Sequence, residues 1–136
     1  LLMEMARIGR LLHDRRCFHK DFYFCHFYIR EVDTYKAPAS WFNEVVLIDL
    51  HRLARHRIFW RIYQIKDLAQ LLFSSEVEGV NASDRVAFWR AYRGLGAGEG
   101  RGKGFYERIV SRIIRWKWQR YRRHNMKLEK GVRRAA

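Results

Sequence analysis

Proline, cysteine, acidic residues and long apolar runs are all scarce in this chain of 136 residues. It has one proline, Pro38, and its 49% hydrophobic and 15% aromatic content excludes a disordered chain. Its two cysteines, Cys17 and Cys25, cannot make a disulfide framework, so we expect buried free thiols in a reducing compartment. No run approaches the roughly 18 apolar residues of a membrane-spanning helix, and the first residues do not resemble a signal peptide.

The shortage of acidic residues is concentrated at one end of the chain. Lys and Arg number 28 against 14 Asp and Glu, which gives a formal net charge of +14. Residues 101–136 hold 13 basic and 2 acidic residues, whereas residues 1–100 hold 15 and 12. Such a basic tail predicts a polyanionic partner, which can be lipid phosphate, nucleic acid or an acidic protein.

Apolar periodicity divides the chain into helices and a few strands. It predicts helices over residues 1–14, 65–73, 84–93 and 105–127, with Asn81 or Ser83 as the cap of the third. A strand is expected at the end of the aromatic stretch 17–29, and a buried one over the β-branched run 45–48. The expected fold class is therefore α+β and mainly helical.

Two aspartates lie where phosphoryl-transfer chemistry would need them. Asp21 follows a histidine and a lysine in the aromatic stretch, and Asp49 ends the buried strand. In phosphoryl transfer one carboxylate positions the acceptor hydroxyl and takes its proton, while another holds magnesium. Kinases carry a His-Arg-Asp loop with an asparagine five residues after the aspartate, and later an Asp-Phe-Gly segment. Here His26 stands at the asparagine position and His51 at the glycine position.

Three segments occur in the order that such a site requires. They are residues 19–27 (His-Lys-Asp-Phe-Tyr-Phe-Cys-His-Phe), residues 47–52 (Leu-Ile-Asp-Leu-His-Arg) and residues 66–75. They resemble the catalytic loop, the metal-binding segment and the following helix of the lipopolysaccharide core heptose and Kdo kinases. The resemblance implies that residues 1–93 form the C-terminal lobe of a protein-kinase-like fold, with a short β-hairpin carrying both loops.

The resemblance also implies a reaction and its residues. Asp21 would be the catalytic base, Asp49 the main Mg²⁺ ligand, and His26 the second metal-binding residue, with ATP as phosphate donor. The acceptor would be a sugar hydroxyl of heptose or Kdo in the lipopolysaccharide inner core. The enzyme would be cytoplasmic and peripheral at the inner membrane.

The same resemblance implies which residues support the catalytic loop and which lobe of the fold the sequence lacks. Asp67 would brace the catalytic loop, His19 would pack beneath it, and Lys20 would contact backbone or phosphate. These kinases also have an N-terminal lobe with a glycine-rich strand pair and a phosphate-binding lysine, which no segment of this sequence supplies. We therefore expect a fragment that is inactive without an N-lobe segment.

The C-terminal region, residues 105–136, has two interpretations. Its helix places Ile109, Ile113 and Trp116 along one side, which can pack on residues 1–93 or enter the interface of an anionic membrane. In the second case six basic residues would contact lipid phosphate: Arg112, Arg115, Lys117, Arg120, Arg122 and Arg123. The alternative to an enzyme is thus a non-catalytic basic module that binds anionic lipid or, less favoured, nucleic acid.

Two further sites are disfavoured by their sequence patterns. Zinc is a rival for the histidines and carboxylates, but no HExxH or CxxC signature is present. The glycine-rich stretch 94–104 is not a phosphate-binding loop, because Lys103 is followed by glycine and no strand precedes it. A flexible linker between the two regions is the better interpretation.

Overall fold

The computed structural model describes residues 1–30, 44–94 and 105–135, with side chains of the last helix described over residues 108–127. Four helices lie in these ranges: α1 (Leu2–Asp14), α2 (Trp60–Ser74), α3 (Ala82–Arg93) and α4 (Phe105–Ala135). Two antiparallel strand pairs lie among them: β1 (Cys17–Phe18) with β4 (Ala54–Arg55), and β2 (Phe27–Ile29) with β3 (Val45–Leu47). The mainly helical α+β class is confirmed. Apart from Gly94, the predicted linker 94–104 lies outside the described residues.

Helix α1 packs closely against the aromatic stretch that follows it. Met5 and Phe22 are buried in one cluster with Val45 and Leu71, so this cluster joins α1, the aromatic stretch, β3 and α2. Gly9 makes the approach possible, because a Cβ atom there would lie 3.1 Å from the Phe22 ring. Burying a side chain such as Phe22 contributes about 2–3 kcal/mol, which makes this cluster a main anchor of the stretch.

Helix α3 is delimited at both ends by local hydrogen bonds. The Asn81 side chain accepts from the backbone N–H groups of Ser83 (2.8 Å) and Asp84 (3.1 Å), and the Asp84 carboxylate accepts from the Asn81 N–H (2.9 Å). This capping box confirms Asn81 as the cap and contributes about 1 kcal/mol to the helix. The helix ends at Gly94, whose φ of +71° is the left-handed conformation that favours glycine.

Helix α4 packs along α2 through a side other than the one that carries Ile109, Ile113 and Trp116. Ile114 is buried in the core with Leu68, and Val110 and Tyr121 pack around it. The apolar side named from the sequence is exposed instead: Ile109 by 40%, Ile113 by 39% and Trp116 by 56%. Two apolar stripes share helical spacing in α4, and periodicity alone could not decide which one the neighbouring helix covers.

The expectation of two buried thiols is wrong for Cys25. Both cysteines are free, but Cys25 is exposed and Cys17 is only half-buried. Cys25 lies in the 3₁₀ turn Phe24–His26, where its two neighbours are partly buried and its own side chain points outward. Among the residues described, no helix is long and apolar enough to cross a membrane.

Candidate active site

The β2–β3 hairpin places His26 beside Asp49. Its register pairs Phe27 with Leu47, and the Ile48 N–H donates to the His26 carbonyl at 3.0 Å. The residue that follows Ile48 is Asp49, so the hairpin ends with these two side chains as neighbours. In the second strand pair, β4 follows Asp49 in the chain and pairs with β1, which leads directly into the 19–27 loop.

The 19–27 loop is held from beneath by Asp67. This carboxylate is fully buried and accepts hydrogen bonds from the backbone N–H groups of His19 (2.9 Å) and Lys20 (3.0 Å). His13 lies 3.3 Å from the same carboxylate, and because a carboxylate only accepts, His13 Nε2 is the donor. A buried charge is stable only with several such donors, and Asp67 has three.

The partners of Asp67 extend into α1 and α3. The other His13 nitrogen, Nδ1, accepts from the Tyr92 hydroxyl at 2.7 Å, and Gln64 donates to that hydroxyl at 2.8 Å. Burial raises the pKa of the Tyr92 hydroxyl, so it stays protonated and able to donate. We call Asp67, His13, Tyr92, Gln64 and the loop amides of residues 19 and 20 the Asp67 network.

Helix α2 holds the loop through two further side chains that the sequence analysis missed. Gln70 accepts from the Phe22 N–H at 3.3 Å and donates to the Tyr23 hydroxyl at 3.1 Å. The Ser74 hydroxyl accepts from the Phe24 N–H at 2.7 Å. Residues 67, 70 and 74 lie on one face of α2, at the spacing i, i+3, i+7. Polar residues at this spacing on an otherwise apolar face are the sequence signal that could have indicated a shared role.

His19 joins the two loops. Its Nε2 donates to the Ile48 carbonyl at 2.9 Å, which ties the start of the 19–27 loop to the residue before Asp49. Its Nδ1 is buried without a hydrogen-bond partner among the described atoms. Lys20 adopts φ +70°, and its ammonium group lies 5.9 Å from the centre of the Tyr63 ring. Lys20 thus offers its backbone to Asp67 and its side chain to Tyr63.

The His26 ring presents a lone pair to Asp49. Its Nδ1 lies 2.7 Å from the Asp21 carbonyl oxygen and must donate to it, which leaves Nε2 as the acceptor in the neutral ring. That Nε2 lies 3.5 Å from Asp49 Oδ2. Two acceptors facing each other need a cation between them, which can be a proton on His26 or a metal ion.

Asp49 is held ionised by its histidine neighbours. A hydrogen bond from His51 is the largest influence and lowers the pKa of the Asp49 carboxyl, against desolvation, which raises it; the charges of His51, His26 and His19 lower the pKa by smaller amounts. The residue has φ +61° and ψ +48°, a left-handed conformation that aspartate adopts more readily than most residues other than glycine. This backbone conformation sets the direction in which the carboxylate leaves the chain.

Asp21 has a partner that the sequence analysis also missed. Arg52 Nη1 donates to both carboxylate oxygens of Asp21, at 2.9 and 2.6 Å. The Asp21 side chain is 19% exposed and that of Arg52 is 48% exposed, so solvent and ligands reach the pair. Arg52 lies three residues after Asp49, at the end of the 47–52 segment, but its contact with Asp21 has no signal in the sequence.

The donor set at His26 and Asp49 fits a magnesium ion in part. The carboxylate is a hard oxygen ligand of the kind that Mg²⁺ prefers, whereas an imidazole nitrogen is more typical of softer metals. Among the residues described, no group of three or more histidine, cysteine or acidic side chains is arranged to hold a metal ion. A cavity of about 420 Å³ lies elsewhere, against α2, α3 and α4, and is lined by neither Asp21 nor Asp49.

Of the six basic residues named on α4, five are exposed: Arg112, Arg115, Arg120, Arg122 and Arg123. Arg120 stacks 5.2 Å from the Trp116 ring centre. Arg122 lies 3.3 Å from Glu76, with its guanidinium over Trp118. Lys117 faces the body of the protein, where burial and the charges of Lys66 and Arg120 lower its pKa.

Comparisons with known proteins agree with the resemblance of the motifs. The profile of the lipopolysaccharide kinase (Kdo/WaaP) family matches residues 1–92, which include α1, both strand pairs, α2 and nearly all of α3. No curated protein and no solved structure gave a significant match. The matched residues contain the whole 19–27 loop, the 47–52 segment and the Asp67 network, and the chain belongs to the lipopolysaccharide kinase (Kdo/WaaP) family.

Proposed function

We propose that the chain carries the catalytic and metal-binding loops of an ATP-dependent kinase that phosphorylates a sugar hydroxyl of the lipopolysaccharide inner core, on heptose or Kdo. Family membership supports a kinase of lipopolysaccharide. The single observation that carries the proposal is the contact between two loops: His19 and His26 bind residues 48 and 49, Arg52 binds Asp21, and the buried Asp67 carboxylate holds the 19–27 loop.

Asp21 would act as the catalytic base. Its carboxylate is reachable by solvent and oriented by Arg52, and it would accept the proton of the sugar hydroxyl as that oxygen attacks the γ-phosphorus of ATP. The new bond joins the sugar oxygen to phosphorus, and the bond that breaks joins phosphorus to ADP. Arg52 would keep Asp21 in one rotamer until the acceptor arrives.

Asp49 and His26 would hold magnesium. Their facing acceptors, 3.5 Å apart, support this assignment, as does the lowered pKa of the Asp49 carboxyl, which keeps it charged. A bound Mg²⁺ would neutralise charge on the phosphates of ATP. Asp67, His19 and Lys20 would support the loop without touching the substrate.

The protein-kinase-like lobe, the inactivity of the chain alone and the cellular location also belong to the proposal. Phosphate binding would need the glycine-rich strand pair and lysine of an N-lobe, and none of the described strands carries a lysine. The site would act at the cytoplasmic face of the inner membrane, where exposed Arg112, Arg120 and Arg123 of α4 would meet lipid phosphate.

The test is phosphate transfer from radiolabelled ATP to a core oligosaccharide that lacks phosphate. It is run on this chain and on the longest polypeptide its gene encodes, each with Asp21→Asn and with Asp14→Asn as matched control. We expect the longer polypeptide to transfer phosphate and this chain not to do so. In the longer polypeptide, Asp21→Asn should lower the rate of transfer about 100-fold or more. Full transfer by Asp21→Asn with unchanged circular dichroism would refute the assigned base.

The alternative, a non-catalytic basic module, is supported by the exposed arginines and Trp116 of α4. Because Ile114 belongs to the core, removing α4 would unfold the protein and decide nothing. Replacing Arg112, Arg120 and Arg123 by glutamine keeps the packed side intact. Two results together would favour the alternative. The original chain would bind anionic vesicles or an oligonucleotide in a salt-sensitive way, and this variant would lose that binding. Phosphate transfer would also be absent under every condition.

A further inference from the structure

The segment between β4 and α2 exposes its apolar side chains to solvent. Ile58 is 73% and Phe59 71% exposed, more than any other large hydrophobic side chain that the structure describes, and Ile62 is 55% exposed. The three lie within five residues, so the exposed apolar side chains are concentrated in one short segment and not scattered singly. We call residues 55–62 the exposed segment.

The backbone of the exposed segment is held in an unfavourable conformation. Phe59 adopts φ +59° and ψ +17°, the left-handed region, where a side chain is strained and glycine is not. The next residue, Trp60, is fixed by two guanidinium groups, with Arg16 at 3.5 Å and Arg61 at 3.9 Å from its ring centre. Phe59 is therefore strained and exposed, and it precedes a tryptophan that two arginines hold in place. Such a phenylalanine has no role in the core and indicates a contact with a partner.

The surroundings of these apolar tips are basic. Residues 50–66 contain four arginines and one lysine, and no acidic residue. Arg55, Arg57 and Arg61 are exposed beside Ile58 and Phe59. Apolar side chains surrounded by cations match the interface of an anionic bilayer, which offers acyl chains beneath a layer of phosphates. A nucleic acid would use the arginines but not the isoleucines.

We propose that the exposed segment is a membrane-docking surface that inserts Ile58 and Phe59 between the headgroups of an anionic bilayer. Arg55 and Arg57 bind the phosphates around them. The segment begins in β4, whose partner β1 leads into the 19–27 loop, so docking places that loop near the bilayer. The docking itself does not depend on kinase activity; only its use in presenting a lipid-linked sugar rests on the proposed function.

The experiment measures co-sedimentation of the whole chain with vesicles of phosphatidylglycerol and phosphatidylethanolamine, and with vesicles of phosphatidylcholine. Phe59→Gly is the decisive variant, because it removes the exposed ring and also relieves the left-handed strain. Its thermal midpoint should be unchanged or higher, so that a loss of binding cannot come from unfolding. Val86→Ser, at a 58% exposed valine of α3, is the matched control.

We expect Phe59→Gly to weaken binding to the anionic vesicles about tenfold, because the ring leaves the acyl region. Arg57→Gln should weaken it less, and high salt should weaken all variants. Binding by Phe59→Gly equal to that of the control, or a loss confined to Trp116→Ser on α4, would overturn the proposal. So would binding to an oligonucleotide with none to vesicles. No result depends on phosphate transfer.

Discussion

Two regions of the chain place charged groups in opposite surroundings. The Asp67 carboxylate is fully buried under the 19–27 loop and accepts three hydrogen bonds. Helix α4 packs through Val110, Ile114 and Tyr121, and its arginines between residues 108 and 127 are all exposed. Removing a buried, bonded charge should therefore disturb the fold, whereas removing an exposed one should disturb only binding.

The largest expected effect is the loss of the Asp67 carboxylate. Asp67→Ala leaves the N–H groups of His19 and Lys20 and the His13 ring without their acceptor, which should lower the free energy of unfolding by about 3 kcal/mol or more. Asp67→Asn keeps one acceptor oxygen and should lose less. Urea titration followed by circular dichroism measures both.

Asp14→Ala is the control for that variant. Asp14 is 69% exposed and its partner Arg10 lies at 3.5 Å one helical turn away, so the loss should stay within about 0.5 kcal/mol. Equal losses at the two positions would mean that burial does not distinguish these carboxylates, and that the Asp67 network does not hold the loop.

A smaller effect is expected from the two sides of α4. Ile114→Ala opens a cavity in the core and should cost about 2–4 kcal/mol, while Ile109→Ala, at a 40% exposed position, should cost less than about 1 kcal/mol. Thermal unfolding of the two variants decides between packing through Ile114 and packing through the Ile109 side, which was one of the two interpretations of the sequence. A larger loss of stability for Ile109→Ala would mean that the Ile109 side packs.

The smallest effect concerns Lys117, whose pKa is lowered by burial and by the charges of Lys66 and Arg120. Since its folded pKa lies below the unfolded value, the folded state carries a penalty at neutral pH that disappears as pH rises past the ordinary lysine pKa of 10.5. Lys117→Met should therefore raise stability slightly at pH 7, and this gain should shrink at higher pH.

Lys127→Met, at an exposed position of the same helix, is the control for Lys117. It should leave stability nearly unchanged at both pH values, because an exposed ammonium group loses no hydration on folding. A gain for Lys117→Met that grows with pH would contradict the assignment of the penalty to a charged, half-buried lysine.

The sequence predicted the site loops better than it predicted their supports. The order of Asp21, His26 and Asp49 pointed to one constellation, because spacing along the chain reflects the hairpin that joins them. Gln70 and Ser74 were missed because their spacing with Asp67 shows only that the three share one face of α2, and not which loop they hold. Arg52 was missed because its contact with Asp21 spans 31 residues and depends on the β1–β4 pair.

The predicted bounds of helices were wrong where tertiary packing or backbone strain outweighed the local sequence pattern. Helix α2 begins at Trp60, five residues before the predicted start, since the left-handed Phe59 and the arginines on Trp60 set its first turn. The side of α4 that packs could not be predicted, because Ile109 and Ile114 are equally apolar and only the position of α2 selects between them.

The most direct test of the central claim is metal binding at Asp49 and His26, followed by paramagnetic Mn²⁺ as a probe for Mg²⁺. In heteronuclear NMR spectra of the chain, the account predicts selective broadening of amide signals from residues 26 and 48–50, lost in Asp49→Asn and kept in Asp14→Asn. Broadening that persists in Asp49→Asn, or that centres on other residues, would contradict the assignment of this pair of loops as a phosphotransfer site.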